Sequence, residues 1–599
     1  MYRNGKKFFP ILIAFMMLLS FLPGATIAAA NETSSEIIVE DVQIEMRDGV
    51  MLSARVYRPS EEGQYPVLLT RTPYNSAGDY INVGKTFAQK GYAVVVNDVR
   101  GLYGSDGIYR PYMDDANDGY DTVAWAHEQP WSNGKVGTFG SSARGITQSL
   151  LGPEQPPGLE AMYWVVTPSR GYEETMFQGG AYRHELVTQW LAGVNYSYAD
   201  SLYQKGKLDK AEFDEAAAIA GSFPDMYWQT PLNSIPLDQV SFAETFDHYI
   251  KDGYYDYRDI TQKYSSINVP IYHVGGWYDI FAEGTIKNFT GLQQSGGKGA
   301  RGNQKLVMGP WEHREIAGDY TNSKLFEGDE FSNLEEMERW FDYWLKDIDN
   351  GIMDEDPVKY YTMGTSEWKT AKKWEVPSST QKKMYFHGET NDNADSLNNG
   401  TLSPKMARPH QEPDVFEYDP ADPVITIGGQ NLYPKSFGVG PMDQREAEVD
   451  SLTYTTDVLS EDVEITGNIE ATLYVSSDAK DTDFTVKLTD VAPDGTSTLI
   501  NDGIQRMRFR EGLDKEVFME DGKVYKIEVN LNDSSHVFKK GHKIRVAVAS
   551  SNFPRFDRNT NTGNALGVDT KEKFVVATNK VYHSPKYPSH ITLPVIKKK

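Results

Sequence analysis

The sequence predicts an α/β fold built on a parallel sheet, followed by a domain of β-strands alone. Three observations point to this fold class. Strand-like and helix-like runs alternate in the first part of the chain, a helical and aromatic-rich stretch interrupts them, and stretches of period 2 dominate the remainder. A chain of 599 residues is also too long for one compact core, so two or three domains are expected.

The strands of the α/β part are predicted from short apolar runs bounded by turn residues. Residues 37–57 form two alternating strands joined at Arg47-Asp48-Gly49. Buried strands are predicted at 66–70, 92–96, 135–139, 160–166, 269–274 and 305–308. Helices are predicted at 115–128 and 334–347, where apolar side chains recur at helical spacing.

The breaks in this pattern define the predicted domains. The α/β domain covers 31–168 and 266–357, and the helical stretch between them, 169–265, is predicted to be a cap over the site. Residues 358–599 are predicted to form a C-terminal β-sandwich, more specifically a jelly roll. Its alternating stretches, such as 471–475 and 543–548, are separated by Gly, Asp and Asn turns.

The first thirty residues have the three parts of a secretory signal peptide. Arg3, Lys6 and Lys7 give a positive region, residues 8–22 are apolar, and Ala28-x-Ala30 suits signal peptidase. We therefore expect a secreted, extracellular protein that is cleaved near Ala30. The chain has no cysteine, so a disulfide framework is excluded.

The formal net charge of −25 bears on which partners are expected. An acidic surface repels phosphate backbones and anionic lipid, so we expect no nucleic-acid partner and no membrane partner after signal cleavage. A small-molecule substrate is the expected partner, and the sequence leaves the oligomeric state open, a homo-oligomer included.

A serine on a strand-to-helix turn is the first chemical motif. The strand at 135–139 runs into Gly140-Ser141-Ser142-Ala143-Arg144-Gly145, and helix-compatible residues follow. Gly140 stands two residues before Ser142, as in a nucleophile elbow, where the crowded backbone requires small neighbours. The usual second glycine is replaced by Arg144, with Gly145 one residue later. The motif alone is weak, and Ser141 is a rival nucleophile.

An acid and a base follow in the order that an elbow enzyme requires. Asp279 comes after the strand at 269–274, and His313 comes after the strand at 305–308, in Gly309-Pro310-Trp311-Glu312-His313. The order Ser142, Asp279, His313 is that of the α/β-hydrolase fold. Considered alone, Asp279 could be a helix cap and His313 a loop residue. Three such residues in the order that the chemistry requires favour a catalytic role.

These residue types together predict acyl transfer. His313 would take the proton of Ser142, and ionised Asp279 would orient the imidazole and stabilise its cation. The N–H of Ala143, directly after the nucleophile, is expected to donate to the developing oxyanion. No His and carboxylate cluster has the spacing of a metal site, so neither a metal nor an organic cofactor is expected.

Taken together, the motifs resemble the cocaine-esterase and X-prolyl dipeptidyl-peptidase family of serine hydrolases, as a secreted bacterial member. The resemblance covers nearly the whole mature chain. It is carried by Arg71-Thr72-Pro73-Tyr74, Asn97-Asp98-Val99-Arg100-Gly101, Gly104-Ser105-Asp106-Gly107, the Ser142, Asp279 and His313 motifs, and Phe553-Pro554-Arg555-Phe556-Asp557 with Asn559-Thr560-Asn561.

The resemblance implies further roles. The Tyr74 hydroxyl would be the second oxyanion donor, and Asp98 with Arg100 would be scaffold, an ion pair that holds a loop. Family members commonly carry an aromatic residue where this chain has Ala143, which implies a roomier pocket. Related α-amino acid ester hydrolases carry carboxylates where this chain has Phe281 and Ala282. Amino-acyl substrates are therefore disfavoured, and Phe281 is expected to line an apolar acyl pocket.

Several functions stay open at this point. A secreted carboxylesterase is the first expectation. A side-chain amide acylase similar to glutaryl-7-aminocephalosporanic acid acylases comes second, and an X-prolyl dipeptidyl-peptidase third. An alternative of another class is a non-catalytic secreted protein that binds carbohydrate through its β-sandwich.

Overall fold

The computed structural model describes residues 37–235, 259–317, 331–376, 378–388, 395–409, 411–433 and 437–597. The predicted signal peptide, residues 1–30, and part of the predicted cap lie outside these ranges. In chain order the first strands are β1 (Ile38–Glu45), β2 (Met51–Arg58), β3 (Tyr65–Thr72), β4 (Ala93–Asp98), β5 (Ser132–Ser141), β6 (Leu159–Val165), β7 (Phe177–Gln178), β8 (Ala181–Tyr182), β9 (Ile271–Tyr278), β10 (Gln304–Glu312), β11 (Val358–Thr362) and β12 (Glu367–Ala371).

The first sheet has ten strands within the described ranges, in the order β1-β2-β4-β3-β5-β6-β9-β10-β11-β12. The run from β4 to β11 is parallel, and the pairings of β1 with β2, β2 with β4, and β11 with β12 are antiparallel. Every residue of β4 and β9 is buried, as expected for strands covered on both faces.

Helices cover the two faces of this sheet. The α-helices of the described ranges are α1 (Ile81–Gln89), α2 (Asp115–Glu128), α3 (Ala143–Leu151), α4 (His184–Gln204), α5 (Lys210–Ala220), α6 (Ala282–Ser295), α7 (His313–Ala317), α8 (Asn333–Lys346) and α9 (Arg445–Glu448). Of these, α1, α2, α3, α6 and α8 pack against strands of the first sheet, whereas α9 lies among the C-terminal strands. Phe87 of α1 and Trp340 of α8 belong to one core cluster, whereas Val123 of α2, Ile146 of α3 and Leu292 of α6 belong to another. The parallel strands therefore end at one common edge, where α/β proteins build their sites.

The C-terminal strands form a second sheet, of eleven strands in the described part of the chain. They are β13 (Ser379–His387), β14 (Gly400–Ser403), β15 (Asp414–Tyr418), β16 (Leu452–Thr455), β17 (Val463–Ser477), β18 (Asp483–Val491), β19 (Ser497–Arg506), β20 (Tyr525–Phe538), β21 (Lys543–Ala549), β22 (Ala577–Tyr582) and β23 (His590–Ile596). The pairings are antiparallel apart from β14 with β16.

Two assignments made from the sequence need correction. Strands β11 and β12 lie beyond the predicted boundary at 357/358, yet they pair with β10 and extend the first sheet. Alternating polarity cannot reveal which sheet a strand joins, so the boundary was placed too early. The stretch predicted as a helical cap contains α4 and α5, but also the short hairpin of β7 and β8. No helix in the described ranges is both long and apolar enough to cross a bilayer.

The second sheet is fastened to the strand that leads to Asp279. Arg555 forms a buried ion pair with Asp502, with Nη1 and Oδ1 2.6 Å apart. Arg555 also donates to Gln430, and the Gln430 amide donates to the carbonyl oxygen of Trp277 in β9. The Phe553-Pro554-Arg555 motif therefore supports the site from the side of the C-terminal domain.

Candidate active site

Ser142 stands on a strained turn between β5 and α3. Its backbone angles are φ 58° and ψ −122°, a conformation that non-glycine residues rarely adopt. Gly140 has φ 146°, and a Cβ there would lie 2.6 Å from the Cβ of Arg144, so the turn excludes a side chain. This geometry presents the Ser142 hydroxyl at the carboxyl edge of the sheet, as the elbow motif predicts.

The second glycine of the elbow motif stands one residue later than usual, at Gly145, for a steric reason. A Cβ on Gly145 would lie 2.2 Å from Oγ1 of Thr167, so α3 can pack closely only with glycine at this position. Arg144 is free to carry a long side chain because it points elsewhere, toward Asp79. The rival Ser141 is fully buried, with its Oγ 3.2 Å from the hydroxyl of Tyr80.

The structure brings Ser142, His313 and Asp279 into one chain of hydrogen bonds. Nε2 of His313 lies 2.7 Å from Oγ of Ser142, and Nδ1 of His313 bonds to Oδ2 of Asp279. Asp279 is fully buried, and its other oxygen accepts from the amide of Phe281 at 2.7 Å. Strand β10 runs through Glu312, further than predicted, so His313 begins α7 directly.

Glu312 was not singled out from the sequence, although it holds the start of α7. Its carboxylate accepts from the amides of Arg314 at 2.8 Å and Glu315 at 3.0 Å. Burial raises the pKa of Glu312, while those two amides oppose the rise. These bonds satisfy amides that have no carbonyl partner in the first turn, and they fix the backbone beside His313.

The two predicted oxyanion donors are the N–H of Ala143, directly after Ser142, and the hydroxyl of Tyr74, in the loop after β3. Ala143 is the first residue of α3, so its N–H has no carbonyl partner within the helix. Tyr74 follows β3, and its ring lies 4.8 Å from the guanidinium of Arg144. Desolvation of its hydroxyl raises the pKa of Tyr74, opposed by the Arg144 cation and by an interaction with the indole of Trp190. The phenol is therefore a neutral donor at pH 7.

A narrow apolar cavity of about 40 Å³ lies beside Ser142, enough for a few water molecules. Phe281, Ile280 and Trp190 line it, and Leu432 reaches it from the C-terminal part of the chain. Phe281, which the sequence led us to expect in an apolar acyl pocket, is thus one of the residues around this cavity. Leu432 and Trp190 were not predicted as pocket residues, because nothing local in the sequence connects them with Ser142.

Ala143 is buried and does not contribute to the lining of this cavity in the part of the chain that the structure describes. Tyr112 and Trp190 stack in the cavity wall, with ring centroids 5.8 Å apart and planes at 8°. These two large rings narrow the cavity beside Ser142.

The expected ion pair between Asp98 and Arg100 is wrong. Arg100 pairs instead with Asp118 at 2.6 Å and with Asp48 at 2.8 Å. Asp98 accepts from the amide of Ser76 at 2.6 Å, and burial raises its pKa to about 6. Both residues still hold loops, but through different partners. Among the described residues, no group of three or more His, Asp or Glu side chains could hold a metal ion.

Comparison with known proteins relates most of the chain to one enzyme family. Residues 48–315 match the family model for X-Pro dipeptidyl-peptidase (S15 family), and residues 350–592 match that for the X-Pro dipeptidyl-peptidase C-terminal non-catalytic domain. The chain is 34% identical over 581 residues to the cocaine esterase of Rhodococcus sp. (strain MB1 Bresler), covering 94% of this chain and 99% of that protein.

Solved structures show the same architecture. An α-amino acid ester hydrolase superposes with a TM-score of 0.76 at 25% identity, covering 95% of this chain and 98% of that one. An aminopeptidase from the marine sediment archaeon Thaumarchaeota archaeon gives a TM-score of 0.78 at 24% identity, with coverages of 96% and 99%. The latter comparison concerns the fold alone.

The site and these relatives define an enzyme, a serine hydrolase that acts on ester or amide bonds. The non-catalytic carbohydrate-binding alternative is therefore not supported. The chain belongs to the cocaine-esterase and X-Pro dipeptidyl-peptidase family.

Proposed function

We propose that the protein is a secreted carboxylesterase that acts through an acyl-enzyme on Ser142. The observation that carries the proposal is the unbroken chain from Ser142 through His313 to buried Asp279. In the first half-reaction, Oγ of Ser142 attacks the ester carbonyl carbon and its proton passes to Nε2 of His313. That proton then leaves with the alcohol, and a water activated by His313 hydrolyses the acyl-enzyme.

Charge on the substrate carbonyl oxygen would be met by two donors, the N–H of Ala143 and the O–H of Tyr74. Such donors stabilise the tetrahedral intermediate more than the ground state, so they act mainly on kcat. Asp279 would hold the imidazole in the tautomer that keeps Nε2 free to accept the serine proton.

The lining of the cavity favours an uncharged, apolar ester. No Asp, Glu, Lys or Arg side chain is among the described residues that line it. A free amino terminus, as in X-prolyl dipeptides, would lack a carboxylate partner there, and a glutaryl group would lack a cation. The volume of about 40 Å³ favours short acyl or alkyl groups. An ester is therefore the preferred substrate class.

A fluorophosphonate probe and a substrate panel test this proposal. Wild-type protein should be labelled once per chain, and Ser142→Ala should not be labelled. Among p-nitrophenyl esters, acetate to butyrate should give the highest kcat/KM, with Gly-Pro-p-nitroanilide far below them. A higher kcat/KM for the anilide would overturn the ester assignment, and labelling of Ser142→Ala would overturn the nucleophile.

The finer fold assignments belong to the same proposal. The parallel sheet with Ser142, Asp279 and His313 after β5, β9 and β10 supports an α/β-hydrolase fold. The antiparallel second sheet supports a jelly roll. Export rests on Arg3, Lys6, Lys7 and the apolar run that follows. Amino-terminal sequencing of protein from the culture medium should find a start near Asn31, and retention of the full-length chain in the cells would contradict export.

A further inference from the structure

A buried ion pair connects the nucleophile turn with the loop that carries Tyr74. Arg144 lies two residues after Ser142, and Asp79 lies five residues after Tyr74. Nε and Nη2 of Arg144 each lie 2.7 Å from a different oxygen of Asp79, a bidentate geometry. The two side chains are only 11% and 14% exposed, so the pair is largely shielded from water and salt.

The guanidinium of Arg144 also contacts two aromatic rings. It lies 4.8 Å from the ring centre of Tyr74 and 4.4 Å from that of Tyr80. A cation at these distances is attracted to the face of a ring, and a planar guanidinium favours a defined ring orientation. Nη1 of Arg144 donates to Oγ of Ser141 at 3.3 Å, which ties the group to the nucleophile turn itself.

The backbone of Tyr74 is held by the same ion pair. The amide of Tyr74 donates to Oγ1 of Thr72 at 3.0 Å, and the Thr72 hydroxyl donates to Oδ2 of Asp79 at 2.6 Å. Arg144 bonds to that same oxygen. Both the ring and the main chain of Tyr74 are thus connected to the Arg144–Asp79 pair.

We propose that Arg144 is a positioning residue that, together with Asp79, holds the Tyr74 phenol in the orientation from which it donates to the oxyanion. The inference rests on the proposed function. A donor helps catalysis only if its direction is set before charge develops, and a tyrosine ring free to rotate spends part of its time elsewhere. Arg144 touches neither substrate nor reacting atoms, so its effect passes through Tyr74.

Replacement of Arg144 should reduce kcat with little change in KM. Arg144→Gln should lose about tenfold in kcat on p-nitrophenyl acetate, less than removal of an oxyanion donor, because Tyr74 is still present. Arg144→Lys keeps the charge but not the bidentate fork and should fall between wild type and Arg144→Gln. Asp79→Asn should resemble Arg144→Gln. Each rate is divided by the concentration of sites that react with the fluorophosphonate probe. Misfolded protein, which does not react, then does not lower the measured kcat.

A matched control removes an arginine ion pair elsewhere in the domain. Arg100→Gln breaks the contacts with Asp118 and Asp48 and should lower the melting temperature while leaving kcat per reactive site unchanged. If Arg144→Gln behaves in the same way, Arg144 is only structural and the proposal fails. If Arg144→Gln does not fold, Arg144→Lys and Asp79→Asn decide by the same criterion.

A double-mutant cycle identifies the route of the effect. In a Tyr74→Phe background, Arg144→Gln should change kcat by less than twofold, because the donor that it positions is already gone. If the double variant instead loses kcat by the product of the two single losses, Arg144 acts through a group other than Tyr74. Wild-type kcat in Arg144→Gln would reject only this inference, whereas retained turnover in Ser142→Ala would reject the proposed function itself.

Discussion

The ring of Phe281 stands edge-on against the imidazole of His313, with centroids 5.5 Å apart and planes at 86°. The amide of Phe281 donates to Asp279, so this one residue holds both the acid and the base. Its ring also lines the cavity beside Ser142. Under the proposed function, substrate selection and alignment of the histidine would therefore depend on the same side chain.

Shortening Phe281 should change acyl-chain preference and rate together. Phe281→Ala enlarges the cavity, so the ratio of kcat/KM for hexanoate over acetate p-nitrophenyl esters should rise on the order of tenfold. Activity on acetate should fall several-fold because the imidazole loses its edge contact. Phe281→Leu, which keeps an apolar side chain of intermediate size, should lie between. An unchanged chain-length profile in Phe281→Ala would mean that the acyl group binds elsewhere.

Ser142→Ala should reduce kcat on the order of 10⁶-fold while leaving the melting temperature close to that of wild type. Only the attacking oxygen is lost, and the turn is otherwise unchanged. Ser141→Ala is the matched variant, because it deletes a neighbouring hydroxyl that bonds to Tyr80 and Arg144 rather than to His313. Steady-state kinetics on p-nitrophenyl acetate compare the two. If Ser141→Ala is the inactive one, the nucleophile has been assigned to the wrong serine.

The rate should fall at acid pH, because His313 must be neutral to accept the proton of Ser142. Asp279→Asn should lower kcat on the order of 10⁴-fold. His313→Ala should lose nearly all activity at every pH. Normal turnover of His313→Ala at pH 7 would remove this residue from the mechanism.

Much of the sheet was predictable because buried strands carry their signal locally. Helix α2 was expected at 115–128 and spans Asp115–Glu128, since its apolar spacing is clear and turns bound it. Ser142, Asp279 and His313 were found because each follows the carboxyl end of a parallel strand, which places all three at one edge. Their order along the chain, serine, aspartate and then histidine, is the order that catalytic residues have in α/β-hydrolases, and this order singled them out.

Other features depend on contacts that leave no local pattern. Arg144 and Asp79 are far apart in sequence, and nothing near either residue indicates the other. Leu432 reaches the cavity only because the second sheet packs there through Gln430 and Arg555. Strands β11 and β12 carry the same alternation whichever sheet they join. Pairing across domains is set by packing, which a single sequence does not display.

Stability should decrease as pH falls from 6.5 toward 4, in part because of buried His273. Burial lowers the pKa of His273 to about 4, from 6.5 for a free imidazole. The unfolded chain therefore takes up a proton in this range before the folded state does, and each such proton destabilises the fold by up to about 1.4 kcal/mol per pH unit. Above pH 6.5 His273 is neutral in both the folded and the unfolded chain, so this loss of stability is absent there.

His273→Gln removes this titration and keeps a polar group beside Gln304, which the ring nitrogen contacts at 2.9 Å. The drop in melting temperature between pH 7 and pH 5 should be smaller in His273→Gln than in wild type. Parallel curves for wild type and His273→Gln would show that other groups cause the acid sensitivity.

Tyr74→Phe should reduce kcat on the order of 10²–10³-fold, the usual effect of deleting one oxyanion donor. The phenol is held beside Arg144 and Trp190, and Trp190 also lines the cavity at Ser142. Because the donor acts chiefly in the transition state, KM should change much less than kcat. Phenylalanine keeps the ring that Arg144 contacts, so the loss reports the hydroxyl alone. Steady-state kinetics on one activated ester decide the point, and a variant within a few-fold of wild type would mean that Tyr74 only packs and that the second donor lies elsewhere.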